Sequence, residues 1–327
     1  MPHLILIADI GGTSSRLALV SANGVPTHVQ IHRNDSFSGF EALIEADLAM
    51  RDPATTEAID GAVLAVAGPA NGQFIELTNR DWSLTKRNLR RHFGWHKLTV
   101  VNDFEALAYG VTALGPDDLA PIGQAHADKS APMLVCGPGT GFGSAGLLRL
   151  GRGLQRAITG EGGRCRLGAT TAEEARLLAH LVGELGPVVV EHALSGSGLS
   201  RIHRLFAGED ITPEQVIAAA HRDDDGALAS IGIFLRLFGR IAGDLALIFD
   251  ARGGVFLAGG ISAALAPFFE ASPFREAFQE HPPFEARLAA TPVNVILHPT
   301  PGLVGCGQLG GRLAKALRAR RAKLNLA

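Results

Sequence analysis

Cysteine is scarce. The 327-residue chain has three, Cys136, Cys165 and Cys306, odd in number and far apart, with no CxxC or Cys/His spacing. That pattern argues against a structural zinc site and fits a reducing cytoplasm. A basic excess is also missing. Thirty Lys and Arg stand against 32 Asp and Glu, a net charge of −2, so the footprint of a nucleic-acid partner is absent. Long apolar runs are missing too. The N-terminal run, His3 to Ala8, is short and has no cationic leader, which predicts no signal peptide. The nearest approach to a membrane span is Gly226 to Phe249. It is interrupted by Arg236, Arg240 and Asp244, four apart on one helical face. It reads as a buried helix with one polar stripe and an Arg240–Asp244 pair, and no membrane partner is expected.

What is present is apolar side chains (46%), ample for a core, and 40 glycines gathered at turns. Glycine at turns suggests ligand sites built from main chain. The length favours two domains. The opening stretch LILIADIGGTSSRLALV reads as a strand buried on both faces, Asp9, a Gly-rich turn and a returning strand. Gly11 and Gly12 permit backbone angles closed to other residues and bare their N–H groups, and Thr13 adds a hydroxyl. Such a turn can hold phosphate oxygens, and Asp9 can hold a hydrated magnesium ion; an ordinary hairpin with an exposed Asp is the alternative.

Further strands are expected at Val25–Arg33, Ala62–Ala67, Gln73–Leu77 and Leu98–Val101. Helices are expected at Phe37–Met50, after a cap at Ser83, and from Phe104. This order is α/β with mixed sheets. A polar connection, Pro116 to Pro132, follows a domain boundary near residue 112. The pattern then restarts, with strand Met133–Cys136, turn Gly137–Gly143 and return strand Ser144–Leu150. Residues 8–20 and 136–147 resemble each other weakly, which suggests two related lobes. Helices are expected at Thr171–Leu185, at Gly198–Phe206, from Thr212-Pro213, at 226–249 and from Gly302 to the end; strands at Val255–Ala258 and Val293–Leu297; and a turn at Gly259-Gly260. Arg318, Arg320, Arg321 and Lys323 suit a solvated cationic helix end better than an acidic partner.

Four glycines around Thr140 leave many N–H groups free for an anion, but no Lys follows as in the nucleotide-binding P-loop. Residues 141–146 match GxGxxG, yet a strand follows, which argues against a dinucleotide site. Asn102-Asp103 falls where a strand meets a helix. Asp103 there either takes a proton from a substrate hydroxyl or caps the helix. Glu161 and Glu191 are flanked by turns and suit sugar hydroxyls, or are exposed loop acids.

Taken together, ADIGGTSSRLAL, AVAGPA, TNRDW, VNDFEAL, GPGTGFG, GEGG, EHALSGSGL, GGVFLAGGI and PTPGLVGCG, in this order, resemble the bacterial glucokinase family, within the sugar kinase, actin and heat-shock ATPase superfamily. The resemblance runs nearly end to end. It implies a two-lobed, actin-like (ribonuclease H-like) sugar kinase fold with a central cleft. The smaller lobe would be residues 1–112 completed by a C-terminal helix, 298–327, and the larger 113–297. It implies Asp103 as general base, with Asn79, Asn102, Glu161, Glu191 and Arg164 around the sugar. Asp9, Gly11, Gly12 and Thr13 would form the first phosphate and magnesium turn, and Gly137, Gly139, Thr140 and Gly141 the second. Gly259 and Gly260 would lie beside the adenosine. The reaction implied is ATP and glucose to ADP and glucose 6-phosphate, with magnesium, in the cytoplasm, by a chain that allows a homodimer. One departure stands out. The family motif reads Glu-Gly-Gly-His, whereas this chain has Arg164 at the last position. Arg only donates and stays charged. It is expected either to pair with Glu161 or to re-tune the site for a related hexose. A sugar-sensing regulator is the non-enzyme alternative; no helix-turn-helix segment is recognised, and Asp103 argues against it.

Overall fold

The computed structural model describes residues 3–78, 80–151 and 153–324, with nothing stated of the side chains of 323 and 324. The chain divides into two compact units, Met1–Leu114 with Pro299–Ala327, and Gly115–His298.

The first unit runs β1 (Leu4–Ile10), β2 (Ser14–Val20), β3 (Thr27–Arg33), α1 (Phe40–Ala49), α2 (Pro53–Glu57), β4 (Ile59–Val66), β5 (Phe74–Glu76), β6 (Ser83–Thr85), α3 (Lys86–His92), β7 (Lys97–Asn102) and α4 (Asp103–Gly110). Its main sheet has the order β3-β2-β1-β4-β7. The three strands β1, β2 and β3 are antiparallel neighbours, whereas β1, β4 and β7 run parallel. Alternation along β1 sends its side chains to two cores. Leu6, Ala8 and Ile10 meet Phe40, Leu43 and Ile44 of α1; Ile5 and Ile7 meet Leu303 and Cys306 of the C-terminal helix, Pro301–Leu324. Ser83 does not cap a helix. It opens β6, paired with β5, and α3 starts at Lys86.

The second unit runs β8 (Leu119–Ile122), β9 (Met133–Pro138), β10 (Phe142–Arg149), β11 (Gln155–Gly160), α5 (Ala172–Leu185), α6 (Val190–Ala193), α7 (Gly196–Ala207), α8 (Pro213–Ala220), α9 (Asp225–Ile248), β12 (Val255–Leu257), α10 (Gly260–Ala264), α11 (Phe274–Gln279), α12 (Glu285–Ala289) and β13 (Val293–Ile296). The C-terminal helix of the first unit is then α13. The second sheet has the order β11-β10-β9-β12-β13-β8. Three antiparallel strands followed by two parallel ones repeat the first unit's plan, with β8 added antiparallel at the far edge. The polar connection at 116–132 therefore contains a strand. Edge strand β8 is only four residues with Pro121 inside, and β11 is mostly polar or small, so neither shows a clear period.

Helix α9 is buried along Phe234, Leu235, Phe238 and Ala242. No described helix is long and apolar enough to cross a membrane. The expected Arg240–Asp244 pair does not form. Arg240 turns to Glu174, at 3.3 Å, and donates to Gly168 O at 2.8 Å, while Asp244 pairs with His281. Glu174 is 2% exposed, so it holds the nearest cation and accepts from Thr170 N at 2.7 Å. The turn at 259–260 is shorter than expected, because Gly260 already begins α10.

Helix α13 lies against α4 at Gly305. A Cβ on Gly305 would fall 1.8 Å from Ala106 O. Gly305→Val is therefore expected to destabilise the protein by about 1–3 kcal/mol or more, read as a lowered midpoint of urea unfolding with an unchanged slope.

Candidate functional site

In the first unit, the parallel strands β1, β4 and β7 end side by side, with Asp9 paired to Ala65 and Val66 to Asn102. Asp9 stands near the end of β1, and Asp103 follows the end of β7. The cap of α4 is Asn102, not Asp103. Its Oδ1 accepts from Phe104 N at 2.9 Å and Glu105 N at 3.4 Å, and its Nδ2 donates to Gly68 O at 3.1 Å. Asn102 is thus largely engaged in holding backbone. Asp103 Oδ1 accepts from Phe104 N at 2.9 Å, with Asn102 and its own amide also lowering its carboxyl, and it is otherwise free of the capping task. Burial pushes its carboxyl up to about 6, against the pull of the Phe104 amide, and Asp9 nearby raises it further. Burial also raises the Asp9 carboxyl, and Arg16, 3.9 Å away, only partly offsets this. The first turn of α13 packs against the same acid, since a Cβ on Gly302 would lie 2.8 Å from Asp9 Oδ2.

The Gly11–Thr13 turn joins β1 to β2. Neither Gly11 nor Gly12 has left-handed backbone; their value lies in having no side chain. Gly11 N donates to Ser14 O at 3.2 Å, while no protein acceptor meets the Gly12 and Thr13 amides among the described residues. The turn carbonyls face inward because Asn34 holds them. Its Nδ2 donates to Gly11 O at 2.8 Å and Gly12 O at 3.3 Å, its own N to Thr13 O at 3.0 Å, and its Oδ1 accepts from Ser15 Oγ at 2.7 Å. Asn34 is fully buried. Carbonyls turned in leave amides turned out, the polarity an anion requires. Two acids with one distant cation beside such a turn suit a divalent ion that keeps its waters. No cluster of three or more His, Cys, Asp or Glu side chains occurs among the described residues. Sequence reading missed Asn34 and Gly302. Gly302 sits in the quoted PTPGLVGCG, but nothing in the spacing marks Asn34. Asn79 lies outside the described residues.

In the second unit, Gly137 belongs to β9 rather than to the turn. Its missing side chain admits Ala258 O, which a Cβ would approach to 2.0 Å. Gly259 adopts φ +97°, and a Cβ there would meet Pro138 O at 2.2 Å. The turn proper is Gly139–Gly141. Gly139 N donates to Gly141 O at 2.7 Å, and Gly139 O accepts from Gly196 N, at the start of α7, at 3.0 Å. Again the carbonyl is held back, and the exposed Thr140 stands at the tip.

Glu191 of α6 lies against this turn, its Oε2 2.9 Å from where a Gly141 Cβ would be. Arg164 pairs with Glu191 at 2.8 Å, not with Glu161. The cause is backbone. Val190 N donates to Cys165 O at 2.9 Å and Leu167 N to Val188 O at 3.3 Å, which brings the segment after Arg164 beside α6. Glu161 is exposed at the start of the short 3-10 turn Gly162–Arg164. Cys136 and Cys306 are buried with thiols pushed up by burial, so neither is a thiolate nucleophile.

The family model and the curated relatives point to one family. The model of the family described as Glucokinase matches residues 6–311. A glucokinase of Chelativorans sp. (strain BNC1) is 38% identical over 92% of this chain and 89% of its own length. One of Paramagnetospirillum magneticum is 36% identical over 94% and 98%. The crystal structure of a glucokinase from an Antarctic psychrotroph superposes with a TM-score of 0.84 at 29% identity, covering 95% of this chain and all of that one. The fold expected from the sequence, that of the actin-like sugar kinases, is the fold found, and the chain belongs to the glucokinase family.

Proposed function

We propose that this protein transfers the terminal phosphoryl group of ATP to the terminal hydroxyl of glucose, giving ADP and glucose 6-phosphate, in a reducing cytoplasm. The observation that carries this reading is Asp103: half-buried just past the end of β7, relieved of capping by Asn102, and titrating at about 6. A base poised there is ionised at neutral pH yet still takes a proton readily. In this reading, Asp103 accepts the hydroxyl proton as the oxygen attacks phosphorus. Glu161 and Glu191 accept hydrogen bonds from sugar hydroxyls, and Asn102 and Asn79 add amide contacts. The outward amides of Gly12 and Thr13 and those at Thr140 and Gly141 hold phosphate oxygens, while Gly137, Gly259 and Gly260 keep the backbone close beside the nucleoside. Asp9 would hold magnesium through water; when bound, the ion spreads the charge of the transferring group.

A second reading, a kinase for a related hexose, rests on Arg164. Its guanidinium occupies one oxygen of Glu191 at 2.8 Å and adds a cation to the acceptor side.

An assay coupling ADP release to added glucose tests the reading, and turnover well above the no-sugar rate is expected. Asp103→Asn is expected to bind glucose while losing about a hundredfold to ten-thousandfold in kcat; unchanged turnover would remove Asp103 as base. In the wild type, kcat/KM for the sugar is expected to fall tenfold per pH unit below about 6, as Asp103 takes up its proton. The raised carboxyl also favours the folded state at low pH and costs stability as pH rises from its unfolded value through about 6. Asp103→Asn is therefore expected to unfold at a higher temperature than wild type at pH 8. Across a sugar panel, wild type is expected to prefer glucose. If it is nearly inactive on glucose and Arg164→His restores turnover, the related-hexose reading stands instead.

A further inference from the structure

The Gly12 carbonyl has a second partner, and it comes from far along the chain. Arg80 Nε donates to Gly12 O at 3.1 Å, across 68 positions of sequence. The same guanidinium pairs with Asp35, next to the buried Asn34. Its Cζ lies 5.1 Å from the centroid of the Trp82 ring, itself 5% exposed. Three kinds of contact thus fix one side chain: a hydrogen bond, an ion pair and a cation–π face. Arg80 is 19% exposed, so its bonds are only partly screened by water.

Arg80 also belongs to the segment that leads out of β5. Just before it, Thr78 N and Thr78 Oγ1 donate to Ala67 O at 3.1 and 3.2 Å. The neighbouring Gly68 O accepts from Asn102, which caps the helix begun by Asp103. A run of bonded groups therefore joins the helix of the candidate base, the 67–68 turn, Thr78 and, through Arg80, the Gly11–Thr13 turn.

We propose that Arg80 is a positioning residue for the phosphoryl donor. It acts through the Gly12 carbonyl, keeping the Gly12 and Thr13 amides aimed at the phosphates, and it ties that turn to the segment beginning at Thr78. The proposal rests on the reading of this turn as a phosphate site. Asn34 also holds the Gly12 carbonyl, at 3.3 Å, and those of Gly11 and Thr13, so loss of Arg80 frees the turn without unfolding it. The consequence falls on donor affinity. Arg80 bonds the Gly12 carbonyl directly but reaches the acceptor contact Asn102 only through the Thr78–Ala67 and Gly68 bonds, so the acceptor is disturbed less.

The test is steady-state kinetics of the whole chain carrying Arg80→Gln, Arg80→Ala, Arg80→Lys and Asp35→Asn, with ATP and glucose varied separately. Arg80→Gln is expected to raise KM for ATP about tenfold, the size of one charge-assisted hydrogen bond, with KM for glucose within about twofold. Arg80→Lys keeps charge but cannot serve Gly12 and Asp35 together, and is expected to lie between. Asp35→Asn is expected to move KM for ATP in the same direction by less, and non-additively with Arg80→Gln. Low-millimolar guanidinium is expected to restore part of the loss in Arg80→Ala but not to change wild type. If Arg80→Gln folds, by its unfolding midpoint, and keeps wild-type KM for ATP, the proposal is overturned. An equal rise in both KM values, or no guanidinium rescue, overturns it too, by marking Arg80 as general scaffolding. If Arg80→Gln does not fold, Arg80→Lys and Asp35→Asn carry the same test. A wild type with no ATP-dependent turnover defeats the functional reading itself, and binding of a nonhydrolysable ATP analogue to wild type and Arg80→Gln then decides the role of Arg80 separately.

Discussion

Two carboxylates at the ends of the parallel strands β1 and β7, drawn away from water, set the terms for the first unit. Asp9 and Asp103 each carry a charge that burial opposes, and Asp9 raises the cost for Asp103. An arrangement that holds them apart but near must be stiff. The stiffness comes from β4 between their strands, from Asn102 capping α4, and from α13 laid close enough that residue 302 has no room for a side chain. Nothing there favours stability for its own sake. Strain of this kind is usual where binding of a cation or transfer of a proton is the purpose.

The two hairpins solve one problem twice. A main-chain anion site needs its amides outward, so each carbonyl of the turn must find a donor behind it. In the first unit the donors are Asn34, through both side chain and backbone, and the Arg80 side chain; in the second the backbone of Gly196 holds Gly139. The shared strand order of the two sheets gives both hairpins the same place at the centre of a sheet. The weak likeness between residues 8–20 and 136–147 is what remains of that correspondence in the side chains.

Much of this was legible in the sequence. Buried strands such as β1, β4 and β9 declare themselves by unbroken apolar runs, and α1, α5 and α9 by helical spacing. Glycine and acid at strand ends drew attention to Asp9 and Asp103. Edge strand β8 was illegible because it is four residues long and holds a proline, and β11 because most of its residues face water. Long-range polar contacts were illegible for a different reason. Local spacing suggested that Arg240 would meet Asp244 and that Arg164 would meet Glu161, each the nearest acid along the chain. Burial decided otherwise for Arg240, since Glu174 is sealed from water and its need for a cation is greater. For Arg164, strand-like pairing of distant backbone brought Glu191 closer. The same holds for Arg80 and Gly12, which no local rule connects.

The first unit is discontinuous, and this bears on how the protein is made. One face of β1 and β4, with Ile5, Ile7, Val63 and Ala65, is covered by Leu303, Cys306 and Ala314. Those residues leave the ribosome only after the whole of the second unit, on the order of ten seconds later at ordinary rates of synthesis. The second unit, being continuous, can complete its core first. The nascent first unit meanwhile shows an uncovered apolar sheet, a surface open to chaperones or to self-association until its final helix arrives.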